Sequence, residues 1–351
     1  MQLHDILKAA LEAGASDVHL VTGHQPAVRV HTELAFLEMP VLGPEVMKTF
    51  LESMAPRGAQ ERFNQQMDAD FSYAAAGLGR YRVNAHMQRG QLAFAMRLIK
   101  TKVPALEVLN LPEVIGRLTY LRRGLVLVTG DTGSGKSTTL AAMIEAMSSR
   151  YKKHIITLED PVEYVLSSNR SLLEQRELGL DMPSFSSALR HALRQDPDII
   201  LVGEMRDLET TQLAITAAET GHLVLSTLHT SSAAQTVERI IDMYPANQQN
   251  QIRAMLANTL QAVVSQTLIS RVDKPGMVPA VEVLLCTPAV RNLIREARAF
   301  EIPNVIETSR ALGMTTLDRS IAELYFNGII SREDAIGSAA LPEKLERQLA
   351  A

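Results

Sequence analysis

The run LVLVTGDTGSGKSTTLAAMI, residues 125–144, decides the reading of this 351-residue chain. Its centre, Gly130-Asp131-Thr132-Gly133-Ser134-Gly135-Lys136-Ser137, matches the phosphate-loop spacing without a gap. The glycines let backbone N–H groups curl toward phosphate oxygens. Lys136 places a positive charge at the β/γ-phosphates, and the Ser137 hydroxyl is a ligand for Mg2+. An apolar strand is expected to run in over residues 125–129 and a helix to run out over about 136–149, adding its N-terminal dipole. Gly130, Thr132, Gly133, Ser134, Gly135, Lys136, Ser137 and Thr138 are therefore expected to hold ATP with Mg2+.

Further apolar runs follow at 155–158, 199–202 and 223–227, separated by helical stretches near 184–194 and 207–220. Continuous apolar strands between helices are what a parallel sheet covered on both faces requires, so the expectation is an α/β nucleotide-binding domain. Beyond Pro279 the chain reads as mostly helical, with segments at about 288–298, 301–312, 315–326 and 331–347. The earlier part mixes a helix at about 2–13 with short strands at 18–21 and 28–31. A helix over 44–55 then leads to strands at 69–75, 80–86 and 92–99, punctuated by Gly77, Gly79 and Gly90. This predicts a small α+β domain over residues 1–100, a linker at 101–112 containing Pro104 and Pro112, and the larger domain over 113–351.

Acids and histidines gather at the ends of the expected sheet strands. In DIILVGE, residues 198–204, Glu204 ends an apolar strand, at the edge where open α/β sheets bind ligands, and is placed to orient or deprotonate a water. Glu159, Asp160 and Glu163 surround a proline turn after another strand and are candidates for metal binding and water positioning; a solvated acidic loop has the same composition. Ser137 and Glu159 are the metal candidates. His222 and His229 flank the last apolar strand and are candidates to sense the γ-phosphate or couple subunits, against the plain reading of surface histidines. In the first domain Arg80, Arg82 and Arg97 lie on strands, with Arg80 and Arg82 on one face. They are solvated arginines or arginine fingers.

Composition narrows the classes. With 35 basic against 39 acidic residues, no tryptophan and 4% aromatics, the composition argues against a nucleic-acid translocase: stacking platforms are scarce, and a basic face would have to be a local patch. A single cysteine, Cys286, excludes an intramolecular disulfide and a paired-cysteine zinc site, and points to a reduced intracellular setting. No uncharged apolar run approaches the roughly 20 residues that cross a bilayer.

The order of these motifs resembles the secretion-type ATPase superfamily, and its type IV pilus retraction branch in particular. GDTGSGKSTTLAAMI (130–144) is similar to the Walker A segment and ITLEDPVEYV (156–165) to the Asp box. DPDIILVGEMRDLET (196–210) is similar to the Walker B segment and TGHLVLSTLHTSSA (220–233) to the His box. GASDVHL (14–20) and RYRVNAH (80–86) resemble the N-terminal domain, and AVRNLIRE (289–296) a C-terminal signature of the retraction branch. The resemblance implies a PAS-like N-terminal domain, a RecA-like P-loop ATPase domain and a helical C-terminal tail. It also implies a cytoplasmic homo-hexameric ring that hydrolyses ATP to retract pili, held at the inner membrane by a platform protein.

By position, the resemblance makes Glu204 the catalytic glutamate, Glu163 an Asp-box carboxylate supporting it, His222 and His229 the His-box pair, and Arg82 and Arg97 arginine fingers. Asp131 stands where the family usually has proline, and Val290 where isoleucine is usual. The paired-cysteine zinc insertion and long N-terminal extension of assembly and secretion ATPases are missing, which favours the retraction branch. The alternatives are an accessory retraction ATPase, a RecA-like nucleic-acid translocase, a nucleotide-binding scaffold and a small-molecule P-loop kinase.

Overall fold

The computed structural model describes residues 2–30, 33–99 and 102–350. His31, at the end of an expected strand, and residues 100 and 101, at the expected domain boundary, lie outside them. The chain forms two compact units. One comprises Met1–Lys102 with the short segments Pro161–Val165 and Gly179–Asp181; the other comprises Val103–Asp160, Leu166–Leu178 and Met182–Ala351.

In the first unit, α1 (Leu3–Glu12) is followed by β1 (Asp17–Val21), β2 (Ala27–Val30) and β3 (Glu33–Phe36). Then come α2 (Pro44–Met54), α3 (Arg57–Gln66), β4 (Asp68–Ala75), β5 (Gly79–Gln88) and β6 (Gln91–Ile99). The strands form one antiparallel sheet in the order β3-β2-β1-β6-β5-β4. Two-residue alternation decides which face is buried. On β5, Tyr81, Val83 and Ala85 enter a core shared with Ile6, Leu7, Met47 and Phe50, while Arg80, Arg82 and Asn84 take the other face. Sequence reading passes over β3 and α3 for a physical reason. Every residue of β3 is exposed, and α3 buries only Ala59 fully, so neither carries an apolar period.

The second unit opens with α4 (Glu113–Leu118), β7 (Gly124–Thr129), α5 (Lys136–Arg150), β8 (His154–Glu159) and β9 (Leu172–Glu177). It continues through α6 (Phe185–Ala192), β10 (Ile199–Val202), α7 (Leu208–Glu219), β11 (Leu223–Leu228), α8 (Ala233–Asp242) and α9 (Gln249–Thr259). After β12 (Leu260–Ser270) and β13 (Met277–Leu285) come α10 (Pro288–Arg295), α11 (Ile302–Thr308), α12 (Leu317–Phe326), α13 (Arg332–Ser338) and α14 (Pro342–Ala350). The seven strands run β13-β12-β7-β11-β10-β8-β9. All neighbours are parallel except β12 and β13. Every residue of β7, β10 and β11 is buried, which is why these strands read as unbroken apolar runs.

Two details differ from the sequence expectation. The sheet is mixed, because the region around Pro279 is not helical: Pro279 sits inside β13, opposite Leu268. The edge position of β13 tolerates a residue with no N–H. The expected helix over 331–347 is two helices, broken just before Pro342, where a ring in a helix interior would clash. The Asp318 carboxylate accepts the freed N–H groups of Ala340 and Leu341, at 2.7 and 3.1 Å. Cys286, just after β13, is 7% exposed, and burial pushes its thiol up to about 11 although Arg291 and Arg295 pull the other way.

Asp17 gives a pH test of the first unit. Burial raises its carboxyl, but hydrogen bonds from Ser16 and Arg97, each 2.8 Å, outweigh that and hold it below the ordinary value of 3.8. A depressed folded-state value stabilises the fold above the unfolded value, and the contribution fades as pH falls through the folded one. The unfolding free energy of wild type minus that of D17N is thus expected to be flat above about pH 5 and to shrink steadily below about pH 4. A difference that stays constant down to about pH 2 would contradict the assignment.

Candidate nucleotide site

The phosphate loop leaves β7 and turns through Gly130, Gly133 and Gly135 at φ of 135°, 82° and 89°, a region that favours glycine. At Gly130 space also demands it: a Cβ there would stand 2.1 Å from the main-chain oxygen of Gln266. The loop ends where α5 begins, at Lys136. Lys136, 9% exposed as a residue, donates from its ammonium to the carbonyls of Gly130 (2.7 Å) and Asp131 (2.8 Å). Ser134 is 5% exposed, and its hydroxyl has no hydrogen-bond partner among the described residues. A buried unpaired hydroxyl beside a lysine and a helix N-terminus is a donor set that fits a polyphosphate. Ser137 and Thr138 occupy the first turn of α5, half-buried, while Thr132 and Asp131 are exposed at the loop tip. Asp131 offers Lys136 its main-chain oxygen, which any residue at this position would supply.

Two strands over, the five-residue loop after β10 carries Glu204. The order β7-β11-β10 puts its carboxyl edge about 10 Å from that of β7, at two strand spacings. Hydroxyls from β11 stitch this loop down. Ser226 donates to the Val202 carbonyl at 2.7 Å and Thr227 to the Gly203 carbonyl at 2.6 Å. At the loop's other end Asp207 caps α7, accepting the Thr210 N–H at 2.7 Å. The Glu204 carboxylate, 18% exposed, is gripped on both oxygens: Arg206 Nε lies 2.7 Å from Oε2 and His229 Nε2 lies 3.3 Å from Oε1. His229 follows β11, and its loop is closed by Ser232, which caps α8, and by Glu282, which accepts the Ala233 N–H at 2.8 Å. Each carboxylate oxygen keeps a second lone pair, so the gripped Glu204 can still accept a hydrogen bond from water.

The remaining candidates divide. Glu159 ends β8 at the same sheet edge, with Oε1 accepting from Thr157 (2.6 Å) and Gln175 (2.9 Å). Glu163 is exposed in the Pro161–Val165 segment, which groups with the first unit. His222 is not brought to the phosphate loop. It precedes β11, so it lies at the amino edge of the sheet, a strand length from His229, with Nδ1 2.9 Å from the Ala217 carbonyl. Its expected role as a nucleotide contact therefore has no support within the chain. Arg82 and Arg97 stand directly opposite one another on β5 and β6, in a cross-strand row that continues to Asp17 on β1 and Arg29 on β2. Arg97 is ion-paired with Asp17 through Nε at 2.8 Å.

Sequence reasoning did not single out Arg206, Ser226, Thr227 or Gln266. Arg206 was within reach, since it follows Glu204 by two residues in a loop already marked as catalytic. The other three act through strand neighbours, which no local pattern reveals.

Comparison with known proteins agrees with this geometry. A family model described as "Type II/IV secretion system protein" matches residues 93–317. The Pseudomonas aeruginosa "Type IV pilus retractation ATPase PilT" is 46% identical over 343 residues, covering 98% of this chain and 99% of that protein. The "Type IV pilus ATPase PilU" of the same organism is 38% identical, covering 97% and 89%. A crystal structure of the pilus retraction motor PilT with bound ADP superposes with a TM-score of 0.93 at 42% identity, covering 99% of each chain. With its phosphate loop, its carboxyl-edge glutamate and near full-length relatives, the chain belongs to the type II/IV secretion system protein family.

Proposed function

We propose that this chain is an ATP-hydrolysing motor that works as a homo-hexameric ring to retract type IV pili. The observation that carries the reading is Glu204, held on both carboxylate oxygens at the sheet edge that also bears the phosphate loop. Near full-length similarity to a pilus retraction ATPase supplies the biological direction. The accessory reading, a PilU-like ATPase, has the weaker support of 38% identity against 46%.

The residues divide the work. Backbone N–H groups of the loop, the Ser134 hydroxyl and the Lys136 ammonium bind the β- and γ-phosphates, and Lys136 must exchange its two carbonyl partners for phosphate oxygens to do so. Glu204 orients a water for in-line attack on the γ-phosphate, and Arg206 and His229 fix the direction of its carboxylate. Ser137 and Glu159 are the residues to hold Mg2+, which when bound offsets negative charge on the phosphates. Arg82 and Arg97 act as arginine fingers, Glu163 supports Glu204, and His222, distant from the loop in its own chain, couples neighbouring protomers. Residues 1–100 serve as a PAS-like domain, 101–112 as a linker and 113–351 as the RecA-like ATPase with its helical tail. No helix among the described residues is long and apolar enough to cross a membrane. A cytoplasmic ring would therefore meet the inner membrane through a platform protein.

Two measurements test this. E204Q should lower ATP turnover by roughly 10²- to 10⁴-fold while leaving nucleotide binding intact; turnover equal to wild type would sink the assignment. If the arginines act across a subunit boundary, mixing R82A protomers with E204Q protomers, each inactive alone, should restore part of the turnover. Absence of any recovery in verified mixed rings would place the arginine in the same chain as the glutamate it serves.

A further inference from the structure

Gln266 lies 132 residues beyond Ser134 in sequence, yet it is built into the phosphate loop. The route is the β7–β12 pair. Ser265 stands opposite Thr129 in the ladder, and their hydroxyls are bonded at 2.8 Å. The next residue, Gln266, is 4% exposed and uses both ends of its amide. Nε2 donates to the main-chain carbonyl of Ser134 at 2.6 Å, and Oε1 accepts from Thr139 Oγ1, in the first turns of α5, at 3.0 Å. The amide cannot be reversed, because its oxygen would then face the Ser134 oxygen. Gln266 also shapes the loop by exclusion. Its main-chain oxygen is the atom that bars a side chain at Gly130, and its Nε2 would lie 3.0 Å from a Cβ at Gly135.

From these contacts we infer that Gln266 is a positioning residue for nucleotide binding: its side-chain amide fixes the Ser134 peptide, so that the unpaired Ser134 hydroxyl and the N–H groups beyond it face the phosphates. The inference rests on the proposed nucleotide reading of the loop. Gln266 touches no reacting atom, so its loss weakens nucleotide affinity and leaves turnover at saturation nearly unchanged. Substitution by glutamate discriminates this role from simple packing. An ionised carboxylate would set an oxygen against the Ser134 carbonyl, whereas the protonated acid has one O–H donor and one acceptor and reproduces the glutamine pattern.

The experiment measures Mg-ADP affinity of the assembled full-length protein at about pH 6 and about pH 8 for wild type, Q266A, Q266E and T139V, with turnover alongside. Q266A should bind about tenfold more weakly at both pH values, the loss expected if the loop without its anchor holds the binding geometry about a tenth of the time. Q266E should be at least as weak at the higher pH and regain most of that loss at the lower one. T139V, which removes one anchor while keeping side-chain volume, should bind severalfold more weakly, and turnover at saturation should stay within about twofold in all three. Wild-type-like affinity in Q266A, Q266E and T139V would overturn the inference. So would a Q266E defect that ignores pH and accompanies a lower melting temperature of the nucleotide-free protein. Should Q266A not assemble, T139V and Q266E decide alone. Failure of wild type to bind Mg-ADP would overturn the nucleotide reading itself, a distinct result from variants that match a binding-competent wild type.

Discussion

The ladder that seats β11 between β7 and β10 is the constraint on which the chemistry of the second unit rests. Parallel strands end together, so the residues that follow them are delivered to one edge however far apart they stand in the chain. Gly130, Glu204 and His229 reach that edge from three separate strands. A slip of one residue in β11 would turn each of Ser226 and Thr227 to the other face and release the loop that carries Glu204. The ladder is thus more than a core. It sets the direction of a carboxylate.

What sequence could and could not reveal follows from the range of each interaction. The phosphate loop and the apolar strands are local patterns and stand in the chain as they stand in the fold. Glu204 was legible because a general rule locates ligands at the carboxyl ends of strands. The same rule, applied to His222, places it at the amino edge; grouping it with His229 as one motif concealed the difference. Arg206 needed only the recognition that a residue two positions further along the loop can fold back on Glu204. Gln266 had no local signal at all, because its partners become neighbours only when β12 pairs with β7. The all-exposed β3 shows the complementary limit: where burial is absent, periodicity has nothing to record.

The first unit organises its charges by register. Four successive strands set Arg29, Asp17, Arg97 and Arg82 in one row, so three cations and one anion share a line across one sheet face. Asp17 ties down the guanidinium of Arg97 and thereby limits how freely that side chain can sample other partners. The result is a row of charges set by backbone pairing, with Arg97 already oriented by Asp17.

Cys286 has a practical corollary. It is the sole thiol of the chain, it is shielded, and its environment keeps it protonated near neutral pH. Maleimide and iodoacetamide reagents attack thiolates, so the native protein presents almost no background target. Cysteines introduced at exposed positions on either unit should therefore accept fluorophores selectively without prior removal of the natural one. The fold already supplies a labelling-ready chain, on which movements can be followed dye by dye.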